Sequence, residues 1–269
     1  MKITEWTGNL VCPTCKSKLE LGSYEKIGFS PSLYLLLKCS TCGVQYPIIH
    51  EIPVLFDMKI LDDPKYTDEI GRYNEISAQG YHKYSGLQDT HPEARAKLVS
   101  DILRKESIKE YVNIGPGFGF LEYLTGDIES YAVDEAVGFL VYVHGISSRV
   151  KLINAFAEYL PFGNNSIECL VTDSTFQSIT DRERFLLEIQ RILAPGGLLI
   201  LSIAYGWNYP RKDQDGYNVN EESQLKDLFN RVGYLDKLEW KFWDSNSESW
   251  VKSKEEGNYL WIIGRKRSG

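Results

Sequence analysis

The sequence predicts an α/β protein with a small cysteine-rich module at its N-terminal end. A short apolar strand at 111–114 runs directly into a glycine-rich turn, and further apolar strands alternate with helical segments after it. Before this region, two Cys-x2-Cys pairs are separated by 23 residues. A chain of 269 residues has room for one such module and one domain of about 200 residues.

The two cysteine pairs predict a structural Zn²⁺ site. Cys12 and Cys15 form the first pair, and Cys39 and Cys42 form the second. Each pair can present two thiolates to one tetrahedral ion, and four sulfur ligands leave no open position for a water molecule. Disulfides are the alternative, which the absence of a secretory signal in the sequence disfavours. Cys169 lies in an apolar strand and is expected to be a core residue.

The glycine-rich turn predicts a ligand that approaches the backbone closely. Gly115, Gly117 and Gly119 permit a sharp turn, and the helix that follows at 120–124 directs its N-terminal amides toward an electron-rich group. Phe120 stands where a dinucleotide-binding turn requires a small residue, which argues against NAD. An ordinary tight turn between strand and helix is the alternative.

A second short strand ends in a carboxylate about 20 residues after the glycine turn. Asp134 therefore lies where an acid can hold both hydroxyl groups of a ribose. A helix N-cap is the alternative role for this residue. The glycine turn and Asp134 together predict a ligand that contains a nucleoside.

Three segments resemble the class I S-adenosylmethionine-dependent methyltransferases. They are the Gly-x-Gly-x-Gly turn, the string Ala-Glu-x-Leu-Pro-Phe at 157–162, and the Pro-Gly-Gly turn at 195–197 before an apolar strand. The resemblance covers about residues 66–265 and implies a Rossmann-like sheet of seven mostly parallel strands with helices on both faces. Strands near 237–243 and 259–264 would complete this sheet.

The resemblance also implies which residues bind S-adenosylmethionine. Asp173 is expected at the amino group of the cofactor. Asn113 and Phe156 both stand where relatives usually have an acid, and Pro116 lacks an N–H donor. The full predicted set is Tyr81, Asn113, Gly115, Pro116, Gly117, Gly119, Asp134, Glu135, Phe156, Ala157, Asp173 and Ser174.

The N-terminal module resembles the small zinc-ribbon activator subunit that partners several tRNA and protein methyltransferases. We therefore predict a zinc-ribbon module at 1–57, a helical segment that covers the cofactor at 58–105, and a methyltransferase domain at 106–269. The aromatic and basic loop at 205–220 is either part of the acceptor site or a lid that packs on the core. No catalytic residue can be identified from the sequence.

Composition favours a cytoplasmic enzyme that methylates a small molecule. Residues 1–57 contain five basic and five acidic side chains, so the net charge of −7 belongs to the larger part of the chain. This disfavours nucleic acid as the partner, and the sequence has no apolar run of the roughly 18 residues that cross a membrane. An rRNA or tRNA methyltransferase and a non-catalytic domain that binds a partner remain the alternatives.

Overall fold

The N-terminal module contains a small antiparallel sheet. The computed structural model describes residues 3–26, 32–56, 58–81, 91–204, 221–233 and 235–267. A short helix α1 and a single 3-10 turn precede the sheet, whose strands follow the order β1-β2-β3-β4. These elements are α1 (Ile3–Trp6), β1 (Leu19–Lys26), β2 (Leu33–Cys39), β3 (Gln45–Ile49) and β4 (Ile52–Pro53).

The larger part of the chain is built on a mostly parallel sheet of eight strands. Their order is β11-β10-β12-β9-β8-β5-β6-β7, and β5 to β9 run parallel to one another. The strands are β5 (Glu110–Ile114), β6 (Glu129–Asp134), β7 (Val150–Asn154), β8 (Ile167–Thr172), β9 (Leu193–Ala204), β10 (Leu235–Asp244), β11 (Ser249–Val251) and β12 (Tyr259–Lys266).

The prediction of seven strands is wrong by one. β12 is antiparallel to β9 and to β10, as expected, but β10 also pairs with the three-residue strand β11. The segment that contains β11 is polar and has no apolar alternation. Its extended form comes from hairpin pairing with β10 rather than from burial of its own side chains.

Helices cover both faces of the large sheet, as predicted. On one face α3 packs on α4 and α2 packs on α5, and on the other face α6 packs on α7. Proline occupies the first position of α3, where its missing N–H has no consequence. The helices are α2 (Pro64–Gln79), α3 (Pro92–Lys105), α4 (Phe120–Leu124), α5 (Val137–Val143), α6 (Arg182–Ile192) and α7 (Glu222–Val232).

The N-terminal module packs directly on the large sheet at its β7 edge. Val54 forms a parallel bridge with Asn154, and the Leu55 amide donates a 2.8 Å hydrogen bond to the Asn154 carbonyl. Leu10 forms an antiparallel bridge with Phe162. These contacts cover an edge strand that would otherwise present unpaired backbone groups, and they make the module's core continuous with that of the sheet.

The Pro-Gly-Gly segment forms a bulge within β9 instead of a turn before it. Leu193 pairs with Ile167 on β8, whereas Leu198 pairs with Cys169 only two residues further along β8. The four residues at 194–197 therefore lie opposite a single residue. Gly197 fits there because a Cβ atom would lie 2.8 Å from the Ala194 carbonyl oxygen.

Candidate active site and metal centre

A cleft lies at the carboxyl ends of β5, β6 and β8, where the glycine turn and two acidic loops meet. This edge is where open α/β sheets bind their ligands. Nine of the twelve residues predicted to bind the cofactor line the cleft. They are Tyr81, Asn113, Gly115, Pro116, Gly117, Asp134, Glu135, Asp173 and Ser174.

Three predicted residues lie outside the wall of this cleft. Phe156 is buried and contacts the rings of Phe56 and Tyr66 edge to face, at centroid distances of 5.3 and 5.0 Å. Ala157 is buried in the core cluster shared with the module. Gly119 begins α4, and a Cβ atom there would lie 2.5 Å from Ile146. The structure thus places these three residues in packing positions.

Glycine is needed at the first two positions of the turn for different structural reasons. Both have positive φ angles, +70° at Gly115 and +54° at Gly117. A Cβ atom at Gly115 would lie 2.2 Å from the hydroxyl oxygen of Thr175, so the loop after β8 requires glycine there. At Gly117 no atom lies within 4 Å of that position. A ligand can therefore approach the Gly117 backbone closely.

Two adjacent carboxylates, Asp134 and Glu135, follow β6 at the cleft. Burial raises the pKa of Asp134 to about 7, and burial together with Asp134 raises the pKa of Glu135 well above its ordinary value. The Asn154 side-chain amide donates to both of their backbone carbonyl groups, at 2.8 and 2.9 Å. The chain thus holds two poorly solvated acceptors in fixed positions, and the hydroxyl groups of a ribose would supply donors to such groups.

Asp173 is held by a buried arginine that the sequence prediction missed. Arg95 Nε lies 3.0 Å from each carboxylate oxygen of Asp173, and Arg95 also donates to the Tyr259 hydroxyl at 2.8 Å. Ser202 donates to Asp173 and accepts from the Ser174 amide. The one sequence signal for Arg95 is that a charged residue lies four positions before Val99, on the apolar face of α3.

Ser174 has a left-handed backbone conformation directly after Asp173. Its φ angle is +54°, which is uncommon for a residue with a side chain. The side-chain amide of Gln177 donates to the Ser174 carbonyl at 2.8 Å, and the Thr175 hydroxyl donates to the Asp173 carbonyl at 3.2 Å. These bonds lie within the loop after β8, and Thr175 also donates to the Gly115 carbonyl of the glycine turn at 3.4 Å.

A second missed residue, Glu122, lies beneath the glycine turn. The side-chain amide of Asn113 donates a 2.7 Å hydrogen bond to Glu122 on α4, and both side chains are buried. Burial raises the pKa of Glu122 to about 7. Acidic residues are common in the first turn of a helix, so the sequence contained no signal for this contact.

Aromatic side chains form the cover of the cleft. The Tyr81 ring contacts Phe118 and Phe120 edge to face, at centroid distances of 5.5 and 4.8 Å. A hydrogen bond joins helix α2 to helix α5, because the Tyr142 hydroxyl on α5 donates to the Ser77 carbonyl on α2 at 3.0 Å. The cleft thus has an apolar cover above its polar floor.

The four predicted zinc ligands lie together in the N-terminal module. The sulfur atoms of Cys12, Cys15, Cys39 and Cys42 are all within 4.8 Å of one another, and all five cysteines of the chain are free thiols. The separations of 3.6 Å (Cys12 and Cys42) and 3.4 Å (Cys15 and Cys39) are near the roughly 3.8 Å between sulfurs of a tetrahedral zinc site. The donor set therefore fits one Zn²⁺ ion. Cys169 is fully buried, as expected.

Two further contacts support this cysteine cluster and link it to the sheet. The buried Tyr46 hydroxyl lies 3.1 Å from the Cys12 sulfur, where it can donate to a thiolate. Lys16, which directly follows Cys15, places its ammonium nitrogen 2.8 Å from Glu188 on α6. The geometry of the first cysteine pair is therefore connected to a helix of the larger domain.

Comparison with known proteins identifies the central segment. Residues 112–201 match the family described as a methyltransferase domain. A ubiquinone/menaquinone biosynthesis C-methyltransferase UbiE of Hahella chejuensis is 38% identical over 58 residues, or 22% of this chain and 23% of that protein. The Klebsiella pneumoniae UbiE is 37% identical over 57 residues, or 21% of this chain and 23% of that protein. The chain therefore spans about a quarter of the length of these relatives.

Two solved structures share the fold over most of the chain. One is a chain from the complex between the Haloferax volcanii Trm112 methyltransferase activator and the putative methyltransferase, with a TM-score of 0.53 and 16% identity. The alignment covers 72% of this chain and 97% of that chain. The other is a SAM-dependent methyltransferase of Thermotoga maritima, described as a possible histamine N-methyltransferase, with a TM-score of 0.52 and 21% identity. The alignment covers 74% of this chain and 100% of that chain.

Residues 112–201 thus match a methyltransferase domain, and the fold is shared with a solved SAM-dependent methyltransferase. The predicted acceptor loop at 205–220 lies outside the described residues. Among the helices that the structure describes, none is long and apolar enough to cross a membrane.

Proposed function

We propose that this chain is an S-adenosylmethionine-dependent methyltransferase that acts on a small-molecule acceptor and carries a structural zinc ion. The observation that supports this most strongly is the composition of the cleft. It brings together the open backbone position at Gly117, the desolvated carboxylates of Asp134 and Glu135, and the fixed Asp173 loop. These groups fit a ligand with hydroxyl groups at one end and an amino acid at the other.

The chemistry that S-adenosylmethionine would supply here is a methyl group on a sulfonium, whose transfer to a nucleophile would leave the electrons of the carbon–sulfur bond on a neutral thioether. The residues of the chain have three tasks in this reaction. Asp134 and Glu135 accept hydrogen bonds from the ribose, and the glycine turn allows the amino-acid part to approach the backbone. The aromatic cover excludes water, so that the acceptor is aligned with the methyl group in a dry site.

A small acceptor is favoured by charge and by the cover. The larger part of the chain carries the whole net charge of −7, which opposes the approach of a polyanion. Tyr73, Tyr81 and Phe139 also line the cleft with aromatic rings, which favours a small acceptor over a polyanion. Predicted localisation in the cytoplasm is consistent with such a substrate.

The N-terminal module has a stabilising function in this proposal. It covers the β7 edge and buries Trp6 against Tyr131, with ring centroids 6.0 Å apart. Four thiolates on one Zn²⁺ ion would hold the two cysteine loops together, because a module of this size has little core of its own. The module would thus act within one chain as the activator subunit acts on a separate partner.

Transfer of label from methyl-labelled S-adenosylmethionine tests the function. The protein is incubated with a protein-free metabolite extract and, separately, with total RNA from the same cells. We expect labelled product in the metabolite fraction, and less of it from Asp134→Asn at a cofactor concentration near the wild-type dissociation constant. Label in RNA would contradict the small-molecule proposal, and absence of label from both fractions would contradict the proposed activity.

A further inference from the structure

The contact between Asn113 and Glu122 has a polarity that points to a specific ligand group. Asn113 belongs to β5 and lines the cleft, whereas Glu122 belongs to α4 behind the glycine turn. The Asn113 nitrogen donates to Glu122 Oε1 at 2.7 Å. This bond determines which way the amide is oriented, because only the nitrogen can donate. The Asn113 carbonyl oxygen is therefore left to accept a hydrogen bond from another donor.

Two buried oxygen atoms of this pair have no hydrogen-bond partner among the described residues. They are Asn113 Oδ1 and Glu122 Oε2. Asn113 is 3% exposed and Glu122 is fully buried, so solvent does not replace the missing partners. Native proteins rarely leave buried acceptors unpaired, and such atoms often mark the position of an absent ligand.

A donor with positive charge suits this pair at a pH where Glu122 is ionised. Both unpaired atoms are acceptors, and an ionised Glu122 adds a negative charge in a site of low dielectric. Burial raises the pKa of the Glu122 carboxyl to about 7, so this group is largely ionised at about pH 8. A primary ammonium group has three donors and one positive charge, and it satisfies both requirements.

The other acids of the cleft are less suited to this task. The charge of Asp173 is already compensated by Arg95, whose Nε lies 3.0 Å from it, and one of its oxygens also accepts from Ser202. Asp134 and Glu135 lie at the end of β6, where the ribose is proposed to bind. Glu122 forms no salt bridge with a described residue.

We infer that Asn113 Oδ1 accepts a hydrogen bond from the ammonium group of S-adenosylmethionine, and that Glu122 is the positioning residue that orients the amide and supplies the negative charge. This inference rests on the proposed function. Relatives usually have an acid on β5 where this chain has Asn113. Here the negative charge belongs to Glu122 on α4, which accepts a hydrogen bond from the Asn113 amide.

The test compares two ligands that differ in the ammonium group. S-adenosylhomocysteine contains the amino acid, and 5′-methylthioadenosine has the same nucleoside without it. Calorimetric titrations of the zinc-supplemented full chain are run at about pH 8, where Glu122 is ionised. We expect Glu122→Gln to weaken the affinity for S-adenosylhomocysteine about tenfold. The affinity for 5′-methylthioadenosine should stay within about twofold of the wild-type value.

Two further variants separate a local effect from general damage. Glu168→Gln removes one exposed carboxylate from β8 and should leave both affinities unchanged. The double variant Asn113→Asp/Glu122→Gln moves the charge from the helix to the strand and should recover most of the lost S-adenosylhomocysteine affinity. Asn113→Ala removes the acceptor oxygen itself and should weaken S-adenosylhomocysteine selectively.

The outcomes distinguish this inference from the proposed function. Selective loss in Glu122→Gln with recovery in the double variant supports the inference. Wild-type affinity for S-adenosylhomocysteine in both Glu122→Gln and Asn113→Ala would overturn it and leave the proposed function intact. A wild-type protein that binds neither ligand would overturn the proposed function and the inference together.

Discussion

Both carboxylate oxygens of Asp173 lie 3.0 Å from Nε of Arg95, so an acid at the mouth of the cleft is held by a buried cation from α3. The Arg95 side chain is 7% exposed and that of Asp173 is 22% exposed. The arginine also stacks on the Tyr259 ring, with its guanidinium carbon 4.5 Å from the ring centroid. The position of the loop after β8 therefore depends on a residue nearly 80 positions earlier in the chain.

We predict that Arg95→Met destabilises the protein by about 3–5 kcal/mol, because it leaves Asp173 partly buried without its partner. Urea unfolding measures this change. The double variant Arg95→Met/Asp173→Asn should recover more than about 1 kcal/mol relative to the sum of the single variants. Additive effects of the two substitutions would show that the ion pair does not stabilise the loop.

The buried acids predict a distinctive dependence of stability on pH. Burial raises the folded-state pKa of Glu122, Asp134 and Glu158 to about 7, from ordinary values of 4.5, 3.8 and 4.5. The folded state then binds more protons than the unfolded state between about pH 4 and pH 7. The free energy of unfolding of the ligand-free protein should therefore fall as pH rises through this window, and Glu135, whose pKa is also raised, adds to this fall.

Urea unfolding between about pH 5 and about pH 8 checks this prediction. Glu158→Gln removes one of the titrating groups and should reduce the slope without changing the cleft, because Glu158 lies outside its wall and accepts from the Asp181 amide at 3.1 Å. Stability that stays constant or rises from pH 5 to pH 7 would contradict the assigned burial of these acids.

The glycine turn allows ligand binding to be separated from folding. Gly117→Ala meets no atom within 4 Å, so its cost should be limited to about 1–2 kcal/mol for the left-handed backbone. It should nevertheless weaken the binding of S-adenosylhomocysteine, because the added methyl group projects into the open space of the cleft that the ligand is proposed to occupy. Gly115→Ala, by contrast, would clash with Thr175 and should unfold the protein far more readily. Equal ligand affinity for Gly117→Ala and the wild type would argue against this part of the cleft.

The cysteine cluster predicts one zinc ion per chain. Cys39→Ser should abolish bound zinc, as measured by elemental analysis, and should lower the free energy of unfolding because the module loses its cross-link. Cys169→Ala is the matched control, since Cys169 is buried in β8 away from the cluster and should leave zinc content unchanged. Zinc retained in Cys39→Ser would rule out the four-cysteine site.

The sequence predicted those parts of the site that depend on local pattern. The glycine turn, Asp134 and the cysteine pairs each follow from residue type and spacing, and the structure brings the first two together and gathers the four sulfurs. Arg95 and Glu122 were missed because their roles depend on tertiary contacts. A lone charge on an apolar helix face was the signal for Arg95, whereas Glu122 resembles any acid in a first turn.

Two other differences have physical causes that the sequence does not reveal. Phe156 was predicted at the cofactor, and in the structure its buried ring packs against two aromatic partners, Phe56 and Tyr66. The partner Phe56 lies at the end of the module that covers the sheet edge, so this contact depends on how the two parts dock. The extra strand β11 similarly depends on pairing with β10 rather than on its own composition.

The measurement that tests the account most directly is calorimetric titration of S-adenosylhomocysteine into the zinc-loaded wild type and into Asp134→Asn. We predict binding in the micromolar range for the wild type and a loss of about tenfold to a hundredfold in the variant, because a ribose hydroxyl loses a charged acceptor. No heat from the folded wild type at ligand concentrations up to about 1 mM would contradict the central claim that this cleft binds the cofactor.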